Sequence, residues 1–174
     1  MEKRFLPFTV PSWLKWIIVC MLVVLVLIFS YGVFLYNSIQ EDKTKGFTQS
    51  KQTALSETAL TKVNDIQRFH GDGFYHVVSG STKDNKEAIA FVPVDDEKDI
   101  SFFLTEQFVT EDEITTKWRK TCSDCQLVKT IPGINKGIPL WEFTYIDNDN
   151  RYVFAYFYME TGKSYEKIRF KTVN

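Results

Sequence analysis

Cys122 and Cys125, in the stretch TCSDCQ, are the residues of this chain whose type and spacing come closest to a chemical motif. A C-x-x-C pair could be half of a zinc site or a redox dithiol. Zinc needs four ligands, and no second cysteine pair completes the set; the only histidines are His70 and His76, six residues apart. A redox thiolate is stabilised at the N-terminus of a helix. This pair instead follows the helix-like run EDEITTKWRK, so it faces the negative end of the dipole. A local disulfide or two idle thiols is the better reading, and an extracytoplasmic location would permit the bridge. No Gly-rich phosphate loop, H-E-x-x-H or G-x-S-x-G occurs. The expectation is a non-enzymatic protein with no catalytic, cofactor-binding or metal-binding residues.

The second concentration of chemistry is aromatic. Trp141, Phe143, Tyr145, Tyr152, Phe154, Tyr156, Phe157 and Tyr158 fall within IPLWEFTYIDNDNRYVFAYFYMETGK. The polar run IDNDNR reads as a turn between two strands. Alternation puts Trp141, Phe143 and Tyr145 on one face of the first strand, and Tyr152, Phe154, Tyr156 and Tyr158 on one face of the second. With an even loop both sets share a side, leaving Glu142 and Thr144 on the solvated one. With an odd loop they separate, and one aromatic row turns outward as a binding surface. Core is the expected use of most of these rings. The candidate partner surface is Tyr156, Phe157 and Tyr158, with Lys167, Arg169 and Lys171 of KIRFK. That cationic row reads first as protection of an edge strand, and second as a site for anionic wall polymers.

These residues need a location and a scaffold. Residues 16–36, WIIVCMLVVLVLIFSYGVFLY, run for 21 residues without a charge. As a helix they span about 30 Å, the thickness of a bilayer core. The run exceeds a secretory h-region and closes on Phe34, Leu35 and Tyr36 rather than small residues, so it reads as an uncleaved signal anchor. Cys20 is a poor lipidation site, with bulky Val19 before it. Lys3, Arg4 and Lys15 precede the span, which places the N-terminus in the cytoplasm and the rest outside. The expected divisions are a cytoplasmic tail (1–15), the transmembrane anchor (16–36), a juxtamembrane segment with a first domain (37–95), and a second domain (96–174). Charges are interspersed, 21 Lys+Arg against 22 Asp+Glu, so no global field recruits nucleic acid.

Past the polar segment 40–54, a helix is expected through TQSKQTALSETALTKVNDI, residues 48–66, although VNDIQRFH could already be a strand. GFYHVVSGS and EAIAFVPV, joined by TKDNK, form a hairpin, and DDEKD is a charged connector. ISFFLTEQF (100–108) fits helix or strand. Thr110 and Glu113 form a capping box that starts a helix at Glu111. CQLVKTIPGINKG reads as a strand and a Pro/Gly turn, and SYEKIRFKTV (164–173) as the last strand. FYHVVSGSTKDNKEAIAFVPVD and LWEFTYIDNDNRYVFAYFYMETG correspond at an offset of about 65 residues. The expected ectodomain is therefore α+β, a duplicated αβββ unit with each helix covering one small antiparallel sheet.

YHVVSGSTKDNKEAIAFVP, LWEFTYIDNDNRY and the closing METGK resemble the TseB-like (YpmB-like) family of Gram-positive bacteria. Glu160-Thr161-Gly162 is similar to the hairpin close of PepSY domains. The likeness covers the chain from the basic tail through the tandem hairpins. It departs in having Asn85 and Asn150 near turn positions where the family has glycine, and in carrying the C-x-x-C. The resemblance implies two tandem cystatin-like or PepSY-like domains and a non-enzymatic regulator of peptidoglycan elongation. It also implies a class B penicillin-binding transpeptidase as partner and no cofactor. The alternative is a PepSY-type inhibitor or chaperone of a secreted peptidase.

Overall fold

A computed structural model describes residues 11–94 and 98–171. Lys3, Arg4 and the end of the expected last strand, 172–173, lie outside the described residues, as does most of the connector DDEKD. The chain forms two units, one up to Lys45 and one from Gly46 onward. The first is α1 (Ser12–Thr44), whose stretch Trp13–Asn37 is long and apolar enough to cross a membrane. Its large apolar side chains, among them Trp16, Phe29 and Phe34, are exposed. Such a surface suits lipid rather than water, and the helix suggests a single-pass membrane anchor.

The second unit runs α2 (Phe47–Glu57), β1 (Leu60–His70), β2 (Phe74–Thr82), β3 (Glu87–Pro93), β4 (Ser101–Leu104), a 3-10 turn at Thr105–Gln107, and α3 (Glu111–Thr121). It continues with β5 (Gln126–Asn135), β6 (Ile138–Ile146), β7 (Tyr152–Tyr158) and β8 (Ser164–Phe170). The strands form two antiparallel meanders in the orders β1-β2-β3-β4 and β5-β6-β7-β8. Each helix thus precedes four strands rather than the expected three. The boundary expected at 95/96 falls among undescribed residues, and β4, beyond it, pairs with β3 to complete the first sheet.

α2 stops at Glu57, short of the expected residue 66. The Thr58 hydroxyl donates to the Ala54 carbonyl (2.6 Å) and accepts from the Leu60 amide (3.2 Å), which ends the helical ladder. Leu60 onward then pairs with β2, with two register shifts. α3 begins where its capping box places it. The Thr110 hydroxyl accepts from the Glu113 amide, and the Thr110 amide donates to the Glu113 carboxylate. Pro132 and Gly133 do not form a turn. They lie within β5, and the reversal falls at Lys136 (φ +51°) and Gly137 (φ +79°), both left-handed as a two-residue hairpin turn requires.

The internal repeat holds at atomic level. Asn85 (φ +57°) and Asn150 (φ +56°) occupy the same place in equivalent turns. In each turn the first residue's amide donates to the fifth residue's carbonyl, Thr82 to Lys86 (2.9 Å) and Asp147 to Arg151 (3.0 Å). Asparagine tolerates the left-handed region that other side chains avoid.

α2 covers one face of the first sheet through Ala54, Leu60, Val78, Ala88, Ala90 and Val92. The opposite face, with Phe69, Tyr75, Val77, Ile89 and Phe91, shares a larger core with α3 and the second sheet. Trp118 of α3 meets Phe143 and Tyr145, with ring centroids 5.7 and 5.1 Å away. The two halves are therefore fused through one apolar interior.

Candidate functional site

The β6–β7 connection decides which aromatics are available. Ile146 pairs with Tyr152, so residues 147–151 form an odd, five-residue loop. Asp147 fixes it: its carboxylate accepts from the amides of Asp149 and Arg151 (3.0 Å each) and from Arg151 Nε (2.9 Å). The Arg151 guanidinium holds the Asp147 carboxyl below its ordinary range.

The register places Trp141 opposite Phe157, Phe143 opposite Ala155, and Tyr145 opposite Val153. These residues face α3 and the core. Trp141 Nε1 donates to the Val109 carbonyl (2.9 Å), and Phe157 packs edge-on against Phe143, with centroids 5.2 Å apart. Tyr152, Phe154, Tyr156 and Tyr158 turn to the other face, the arrangement expected of an odd loop. There β8 adds Phe170 opposite Tyr152, Ile168 opposite Phe154, and Glu166 opposite Tyr156. Tyr152, Ile168 and Phe170 are 48%, 40% and 54% exposed, and Phe154 meets Phe170 edge-on at 5.6 Å. The result is an aromatic and aliphatic row held in water by a rigid sheet.

Glu142 and Thr144 also lie on this outer face, yet both are buried, against the expectation that they would be solvated. The larger tyrosines and phenylalanine beside them shield them. Burial raises the Glu142 carboxyl above its ordinary value, opposed by a hydrogen bond from Tyr156 and by the Lys129 charge. The Tyr156 hydroxyl is likewise shifted up, first by burial and then by Glu142.

The candidate partner residues divide between two faces. Tyr156 and Tyr158 are on the outer face, Tyr158 stacked edge-on with Tyr165 (5.2 Å). Phe157 is turned inward. Lys167 and Arg169 stand opposite Ala155 and Val153, so they share the α3 side and line its exposed margin; Lys171 follows β8, also exposed. The sequence offers Tyr152 and Phe154 as part of an outward row only under an odd loop, and does not single out Ile168 and Phe170 as surface. The available signal was the alternation of β8, with Glu166, Ile168 and Phe170 on one side and Lys167 and Arg169 on the other.

Cys122 and Cys125 are joined as a disulfide at the C-cap of α3, with Cα atoms 5.3 Å apart. His76 is buried in the first sheet, its Nδ1 2.6 Å from Ser50 Oγ and its ring edge-on to Phe47 (4.9 Å). His70 is exposed beside Phe74. Among the described residues no three His, Cys, Asp or Glu side chains converge as a metal site.

Residues 49–93, which run from α2 through β3, match the cell wall elongation regulator TseB-like domain. Over 138 residues the chain is 30% identical to a Bacillus subtilis (strain 168) protein described as a probable cell wall elongation regulator TseB. That alignment covers 77% of this chain and 83% of the relative. The solved structure of the YpmB protein from Bacillus subtilis superposes with a TM-score of 0.67 at 25% identity. It covers 72% of this chain and 98% of that one.

Proposed function

Since this chain belongs to the TseB-like family of cell wall elongation regulators, we propose that it is a non-enzymatic regulator whose body docks on a penicillin-binding transpeptidase outside the cytoplasmic membrane. Homology supports the regulatory role in cell wall elongation. The transpeptidase partner, the cytoplasmic N-terminus and the absence of catalysis are our reading. The observation that carries the docking is the water-facing row of Tyr152, Ile168 and Phe170, with half-buried Phe154 between them. Burying such a row against a partner stabilises a complex by roughly 25 cal/mol per Å² of apolar surface, less the cost of association. Anchoring by α1 keeps both partners in one plane, so a weak contact gains from high effective concentration.

In-cell photo-crosslinking of the full-length chain from position 152 tests this reading, with an anchor-swapped version as control. Capture of one class B penicillin-binding protein that survives the anchor swap is the expected result. Capture of nothing beyond abundant envelope proteins would overturn it. The second reading, an inhibitor or chaperone of a secreted peptidase, is favoured by the free edge of β8, which could accept a peptide strand. Its signature is capture of a peptidase in the same experiment.

A further inference from the structure

β8 ends its sheet, and its backbone is poised for pairing. At the start of the β6–β7 ladder the Asp147 amide donates to the Arg151 carbonyl, which makes these two a hydrogen-bonded pair. In an antiparallel ladder alternate pairs are hydrogen-bonded. Val153 and Ala155 therefore bond to β6, while Tyr152, Phe154 and Tyr156 turn their backbone groups to Phe170, Ile168 and Glu166 of β8. Lys167 and Arg169 are left with N–H and C=O groups pointing away from the sheet.

The other sheet margins are less suited. β4 has four residues, β1 carries two register shifts and β5 one. β8 runs regularly from Glu166 to Phe170, and all five residues are exposed. Its two rows differ in chemistry. Lys167 and Arg169 line the α3 side and form no ion pair among the described residues; Ile168 and Phe170 line the outer aromatic side. A second copy of β8 would set these cations against one another, which disfavours self-pairing.

We propose that β8 accepts, by strand addition, an extended segment of the wall-synthesis partner in which acidic residues alternate with apolar ones. The acidic row pairs with Lys167 and Arg169, and the apolar row extends the face of Ile168 and Phe170. Main-chain bonds to Lys167 and Arg169 supply affinity, and the alternation supplies specificity. The assignment rests on the docking reading above and names its edge and its ligand chemistry.

The test uses the full-length chain in its own membrane, with photo-crosslinking residues at position 171 beside the edge and at position 152 on the face. Arg169→Pro removes an outward N–H and leaves the β7 ladder intact, which an edge strand tolerates; its control, Arg169→Ala, loses the same cation but keeps the N–H. Lys167→Glu with Arg169→Glu reverses the row without touching the backbone. Position 171 should capture an acidic–apolar segment of a wall-synthesis protein, and either variant should reduce that capture about tenfold, the equivalent of about 1.4 kcal/mol. Should Arg169→Pro alter the unfolding midpoint, the charge-reversed pair decides: converting the mapped acidic residues to lysine should restore its capture, and failure to do so overturns the pairing. Capture from position 152 that ignores both variants overturns strand addition and leaves the docking reading standing. Capture from neither position overturns both. Capture of an anionic wall polymer, lost on charge reversal and weakened no more by Arg169→Pro than by Arg169→Ala, would show a polyanion site instead.

Discussion

The ring of Phe69, near the end of β1, occupies the space where Gly133 of β5 would carry a side chain. A Cβ at Gly133 would overlap the Phe69 ring, and one at Gly71 would sit 2.6 Å from Phe69 Cε1 and 2.8 Å from the Ile134 carbonyl. This contact joins the first sheet to the second, and Phe69 and Ile134 are both nearly fully buried in the shared core.

Gly133→Ala should therefore destabilise the body by about 1–3 kcal/mol, the usual cost of overpacking. Phe69→Ala should cost about 3–5 kcal/mol by leaving a cavity. The double variant should be less destabilised than the sum, because the new methyl fills part of the space the ring leaves. Denaturant unfolding of the full chain in micelles, followed by tryptophan fluorescence, measures all three. A fully additive double variant would show that the two residues do not touch.

The paired turns make a second prediction. Asn85→Gly and Asn150→Gly should each be near neutral, while Asn85→Ala and Asn150→Ala should each cost about 1–2 kcal/mol for a Cβ without a local polar partner in the left-handed region. Equal effects at both sites follow from equal backbone geometry. Clearly unequal alanine costs would mean that surrounding packing, not the turn, sets the preference.

Two buried groups give the stability opposite pH dependences. His76 has its pKa depressed below 6.5 by burial and by the nearby Arg68 charge. The unfolded chain takes that proton first, so stability is full above about 6.5 and lost as pH falls towards the folded value. His76→Gln, which can still bond Ser50, should flatten unfolding curves below about pH 6.5. Glu142 has its pKa raised above 4.5 by burial, so its stabilisation is full below that value and lost as pH rises through the folded one. Glu142→Gln keeps a Tyr156 acceptor and should be more stable than the parent at neutral pH, with the gain vanishing near pH 4. A gain that persists at pH 4 would assign it to packing instead.

The disulfide closes a very short loop, so its entropic effect is small, about 2 kcal/mol by the loop-length relation. Cys122→Ser with Cys125→Ser should lower stability by no more than that and leave partner capture unchanged. Loss of capture at preserved stability would give the cysteines a role beyond bracing the C-cap of α3.

What the sequence discloses here depends on whether a signal is local. The long apolar helix, the capping box of Thr110 and Glu113 and the 65-residue repeat of the hairpins all show in short stretches of residue type. β1 was obscured because Ala54, Leu55, Ala59, Leu60 and Val63 mimic helical spacing, while the hydroxyl of Thr58, which ends α2, resembles any other threonine until its partners are placed. Gly133 looked like a turn beside Pro132 because its reason, the ring of Phe69, comes from a strand more than sixty residues away. The site turned on the parity of one loop. Asp147 holds five residues in that loop, and a single residue fewer would have set both aromatic sets on one side.

That parity sets up the sharpest contrast between core and surface. Phe143 is fully buried against Trp118, and Phe170 is 54% exposed on the opposite side of the same sheet. Phe143→Ala should cost about 3–5 kcal/mol. Tyr152→Ser with Phe170→Ser should cost under about 1 kcal/mol each, since their apolar area is already largely in water. If the outer row is a docking face, the serine pair should abolish capture of the wall-synthesis partner from position 171 while the unfolding midpoint stays near that of the parent. A serine pair that unfolds as readily as Phe143→Ala would return the outer row to the core. One that keeps both stability and capture would move the contact to another part of the body.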